Sequence, residues 1–82
     1  MAKPVRNRYQ STEHLLAWGR LYCPTGQRVG QYVFNTLAAD IDPDIRDIAE
    51  AIRGTAADPF HAENEQDHRF VAFKAYLYEF FG

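Results

Sequence analysis

Arg28, Gln31 and Asn35 place three hydrogen-bonding side chains at spacings of three and four residues in the middle of the chain. Those spacings bring side chains onto one face of a helix. Val29, Val33, Phe34 and Leu37 fall largely on the other side. A cation and two amides in a row can lie solvated, tie a neighbouring loop to the helix, or hold a partner. Further along, Arg53-Gly54 and Asp58-Pro59-Phe60 bracket a loop whose backbone carbonyls need partners. Arg28, Gln31, Asn35, Arg53 and Asp58 are therefore the candidate polar row, as a structural network or a binding face. Beside the loop motifs, the reading that fits best is a strut holding the loop onto the helices.

Covalent chemistry would need a nucleophile beside a base. Cys23 is the only cysteine, and its available bases are His14, His61 and His68. The sequence around it matches no nucleophile elbow or papain-like segment. Ser11, the only serine, suits a helix cap. For metal, the stretch from His61 through Glu63, Glu65 and Asp67 to His68 is rich in ligand types. It lacks the paired spacings of a zinc site and the glycine of a calcium loop. We therefore expect no catalytic, cofactor or metal residues, and the acidic stretch reads as a solvated loop.

The elements that position these residues are helical. Ser11 or Thr12 can cap a first helix over 12–22, with Glu13 in its first turn and Leu15, Trp18 or Leu16, and Leu21 with Tyr22 on its apolar stripe. Cys23-Pro24 ends it, and Thr25 can cap a second helix over 26–39. Gly30 inside that helix implies close packing. Asp42-Pro43-Asp44 is a clear start for a third helix over 43–53, with Ile45, Ile48, Ala49 and Ile52 on one face and Gly54 beyond its end. A long loop over 54–66 follows, with Phe60 as a plug for the core. Asp67 caps a last helix over 68–81 whose apolar residues run nearly all round it. Such a helix is central to a bundle or paired with a partner, which makes Tyr76, Tyr78, Phe80 and Phe81 the candidate interface.

Eighty-two residues, 46% apolar and 15% aromatic, make one small domain, with large side chains supplying the buried area. Residues 1–8 hold Lys3, Arg6 and Arg8 and no acid, whereas the remainder holds six basic and eleven acidic residues. We read residues 1–10 as a basic flexible arm and 11–82 as the helical domain. A short basic arm on an acidic body argues against duplex binding, which needs a continuous basic footprint. The third helix, with Asp44, Asp47 and Glu50 against Arg46 and Arg53, would repel phosphates. One cysteine, the absence of an apolar signal core and the short apolar runs lead to the expectation of a cytoplasmic chain without membrane contact.

The pattern Arg28-x-Gly30-Gln31-x-x-x-Asn35-x-Leu37, then Ile52-Arg53-Gly54-Thr55-x-x-Asp58-Pro59-Phe60, then an aromatic helix, resembles a group of small helical proteins of bacterial, bacteriophage and other mobile-element genomes. The resemblance covers roughly residues 12–80 and implies a fold but no activity. Residues 1–8 and the His61–Asp67 stretch lie outside it.

The expected architecture is all-α, with three to four helices and a core of Leu15, Leu21, Val33, Leu37, Ile45, Ile48, Ile52, Phe60, Phe70, Phe73 and Leu77. The expected role is a non-enzymatic protein-interaction or accessory module, able to self-associate through the aromatic last helix or to bind a host protein. The alternative is a small nucleic-acid-associated regulator using Lys3, Arg6 and Arg8.

Overall fold

A computed structural model describes residues 9–82, and the basic segment 1–8 lies outside the described residues. The chain is all-α: helices α1 (Thr12–Tyr22), α2 (Val29–Ala38), α3 (Pro43–Glu50) and α4 (His68–Phe81), with no strand among the described residues. Helix α2 packs against α1 and α3, and α1 also packs against α4.

Helix starts follow local chemistry. The Ser11 hydroxyl accepts from the His14 N–H at 3.1 Å, Asp42 accepts from Asp44 at 2.9 Å, and Asp67 accepts from Arg69 at 2.9 Å. Each satisfies a donor that the first helical turn leaves unpaired. The second helix departs from expectation. Gly26 sits at φ +92°, so the turn after Cys23 runs on to Arg28, and Arg28 rather than Thr25 occupies the N-cap with no side-chain cap bond. The third helix stops at Glu50, three residues before expectation. Its end tightens into three-residue turns, with Ile52 N–H bonded to Ala49 and Arg53 N–H to Glu50, until Gly54 turns away at φ +79°.

The core holds Leu15, Val33, Leu37, Ile45, Ile48, Ile52, Phe70, Phe73 and Leu77 as expected, joined by Tyr9, Leu16, Phe34, Ala62 and Phe81. Two expected members are misplaced. Leu21 is 73% exposed, because the buried stripe of α1 is Thr12, Leu15, Leu16 and Gly19. At about 100° per residue, Leu21 lies about half a turn round the axis from Thr12. Gly19 marks the true stripe: a Cβ there would run into Cγ2 of Val33, so α1 and α2 cross at this glycine. Phe60 is half-buried, and the fully buried loop residue is its neighbour Pro59.

Pro59 explains Gly30. A Cβ on Gly30 would stand 2.8 Å from the Pro59 carbonyl oxygen and 3.2 Å from the Phe70 ring. The loop backbone thus rests directly on α2, and the first turn of the helix accepts a glycine to allow it.

Candidate functional site

The five residues of the candidate polar row do not form one network, and no hydrogen bond or ion pair joins any two of them. Arg28 reaches Glu63 at 3.6 Å. Gln31 is half-buried and Asn35 exposed, and neither side chain makes a hydrogen bond among the described residues, so neither ties down the loop. Arg53 makes a two-pronged bond to Glu50 at 2.7 and 2.8 Å, and its guanidinium lies 5.1 Å from the centre of the Phe34 ring. Asp58 braces the loop from within. Its carboxylate accepts from Gly54 N–H at 2.7 Å and from Phe60 N–H at 3.0 Å.

What fastens the loop is the stretch read as solvated. Glu63 pairs with Arg28 from the start of α2, Glu65 with Arg20 from α1 at 2.7 and 2.8 Å, and Asp67 with Arg69 from α4 at 3.0 Å. Arg20 and Glu65 are forty-five residues apart, so no local spacing announces the pair. The Arg69 guanidinium and backbone N–H hold the Asp67 carboxyl well below the usual carboxylate range. Arg20 lowers Glu65 in the same way.

An open groove of about 580 Å³ lies between Gln27–Gly30 and Glu63–Gln66, with Phe70 at its base. Its charged groups Arg28, Glu63 and Glu65 are already paired. Cys23 is bonded within its own turn. Its thiol donates to the Gln27 carbonyl at 3.2 Å, and no hydrogen bond joins it to a histidine. Among the described residues no group of three histidine, cysteine or acidic side chains could hold a metal ion, and no helix is long and apolar enough to cross a membrane.

The candidate interface on α4 is largely turned inward. Phe81 is buried against Tyr9, and Tyr76 donates its hydroxyl to the Ile48 carbonyl at 2.8 Å while packing on Phe80. Tyr78 remains exposed, with its hydroxyl bonded to Glu13, and that bond pushes the phenol's pKa up. Helix α4 packs against α1 and sends Phe70, Phe73 and Phe81 into the core.

A half-buried aromatic cluster with an exposed rim lies between α1 and α2. Trp18 stacks on Tyr32 with ring centres 5.6 Å apart and planes within 18°, and Tyr22 lies 5.6 Å from Trp18 on the other side. Tyr9 meets Trp18 edge-on at 6.2 Å. Leu21 and Tyr22 are 73% and 57% exposed, and both share a helix face with Trp18 through spacings of three and four. Sequence reasoning placed Leu21 in the core and Trp18 and Tyr22 on the same apolar stripe of the first helix. The one local signal against that was Gly19, whose missing side chain hides a buried position from any hydrophobic pattern.

Fold and surface together define a small all-α domain on which exposed Leu21 and Tyr22 flank a half-buried Trp18–Tyr32 stack. Comparison with known proteins gives no match to a family model, to a curated protein or to a solved structure.

Proposed function

We propose that the chain is a non-enzymatic protein-interaction or accessory module whose contact surface is Trp18, Leu21, Tyr22 and Tyr32. The observation that carries this reading is the half-buried Trp18–Tyr32 stack with Leu21 and Tyr22 exposed beside it. Leu21 and Tyr22 are more than half exposed although the domain has a complete core elsewhere. Stacked tryptophan and tyrosine rings are the side chains that dominate interface energies, since they offer large rigid area with few rotatable bonds. The pairing of the ionic groups around the groove and the isolation of Cys23 fit a binding role better than a catalytic one.

The nucleic-acid reading rests on the charge of Lys3, Arg6 and Arg8 alone, and the acidic face of α3 weighs against it.

Leu21→Ser/Tyr22→Ser tests the proposal, because both side chains are exposed and the fold does not depend on them. A protein captured by the wild-type chain should, once purified, bind it at least about tenfold more tightly than it binds the variant, with equal helical content in both. Equal affinity for the two chains would remove this surface from the reading.

A further inference from the structure

Helices α1 and α4 share an outer face that the described residues leave uncovered. The two run antiparallel: Thr12 N–H bonds to Gly82 at one end, Glu13 reaches Lys74 and Tyr78, and Arg20 reaches Glu65 at the other end. That register sets Ala17 close to the level of Ala75, in the middle of the face. Leu21 and Val71 lie toward one end of it and Tyr78 toward the other, all exposed. His68, Val71, Ala75 and Tyr78 follow at spacings of three, four and three, so they form one exposed stripe along α4. His14, Ala17 and Leu21 repeat the spacing along α1. Alternation of three and four is the seam along which helices of two chains pack. This face is distinct from the Trp18–Tyr32 stack and meets it only at Leu21.

We propose that a second copy of the chain covers this face, in a weak antiparallel dimer whose two-fold axis passes beside Ala17 and Ala75. Small side chains at the axis let the helices approach, and the axis lays Val71 of each copy against the partner's Tyr78. Charge fits the same arrangement. Glu79 and His68 are exposed on one flank of the α4 stripe, and Glu79 makes no hydrogen bond or ion pair among the described residues. The axis brings each Glu79 near the level of the partner's His68, whose ring N–H can donate to it. On the other flank Lys74 is already paired with Glu13 at 3.2 Å, so the two lysines can approach each other. Area sets the strength. Helices of 11 and 14 residues turn roughly a dozen side chains outward, against about 20–30 on each side of a standard interface, so the dimer forms only at high concentration.

Sedimentation equilibrium of the full chain tests this. The weight-average mass should climb from one chain toward two between about 10 µM and about 1 mM, as a small interface requires. Ala75→Glu sets two like charges at the axis on an exposed position. It should keep wild-type helical content and weaken association at least about tenfold. Tyr22→Ser, about half a turn round α1 from Glu13, should associate like wild type. In a Cys23→Ser background, a mixture of Val71→Cys and Tyr78→Cys chains should oxidise mainly to the mixed cross-link. A single-chain mass up to about 1 mM, or association indifferent to Ala75→Glu, would overturn the proposal. Cross-links mainly of like with like would overturn it as well, by making the pair parallel. Association lost in Tyr22→Ser would move the contact to the Trp18 stack and overturn it too.

Discussion

The backbone N–H of Thr12 donates to the carbonyl of Gly82 across 2.8 Å, so the first residue of α1 is closed by the residue that follows α4. The two ends are further joined by Glu13, which accepts from the Tyr78 hydroxyl and pairs with Lys74 at 3.2 Å. At the same junction the Thr12 hydroxyl is fully buried and has no hydrogen-bond partner among the described residues. Burying a hydroxyl without a partner costs about 1–3 kcal/mol. Thr12→Val keeps the backbone bond and the shape while removing the orphan oxygen. We expect it to stabilise the chain by about 1 kcal/mol, raising the melting temperature by roughly 4–8 °C. A lower melting temperature would show that the hydroxyl is satisfied in solution.

Gly30 makes a prediction of opposite sign to helix propensity. Alanine is favoured over glycine within a helix by up to about 1 kcal/mol, and Gly30 stands in the first turn of α2. Here the added Cβ would meet the Pro59 carbonyl at 2.8 Å, which is backbone and cannot rotate aside. Gly30→Ala should therefore destabilise the chain by about 1–3 kcal/mol in urea denaturation. A gain in stability would mean that the loop does not rest on α2.

Four paired carboxylates, on α1, at the end of α3, in the loop and at the cap of α4, should set the acid limb of stability. Asp67 is lowered mainly by the Arg69 guanidinium, Glu65 and Glu50 by Arg20 and Arg53, and Glu13 by the Tyr78 hydroxyl and then Lys74. A carboxyl lowered by folding adds stability that is complete above its unfolded value, about 4. That stability is lost as pH falls through the folded value. The urea midpoint should hold from pH 7 to about 5 and drop below about 4. Asp67→Asn can still cap α4 but carries no charge, so it should flatten part of that drop. An unchanged acid limb in this variant would place the pH dependence elsewhere.

The polar row yields a contrast between surface and core. Arg28→Ala/Gln31→Ala/Asn35→Ala removes only the long Arg28–Glu63 pair. Its stability should stay within about 1 kcal/mol of wild type, since exposed ion pairs contribute little. Phe73→Ala, at a fully buried position, should cost about 3–5 kcal/mol. A large loss in the triple variant would restore the row as a structural network.

Local chemistry was enough for much of the fold. The caps at Ser11, Asp42 and Asp67, the proline at the start of α3 and the glycine at 54 act within a few residues, so the all-α class and the bounds of α1 and α4 could be read directly from the chain. The isoleucine face of α3 was legible for the same reason, because one strong period leaves one choice of buried side.

Tertiary structure decided what periodicity leaves open. Helix α1 offers two apolar arcs, and only the crossing of Val33 at Gly19 determines that Leu15 and Leu16 turn inward while Leu21 and Tyr22 face outward. The aromatic wealth of α4 was plain, but whether it meets a partner or the core depended on where Tyr9 and Ile48 lie. The pairing of Glu65 with Arg20 needed the loop's path, since charges distant in sequence meet only once packing sets their separation. Residue types and near spacing thus determined which helices form. Which faces are buried, and therefore which surface is left to act, was decided by how those helices cross.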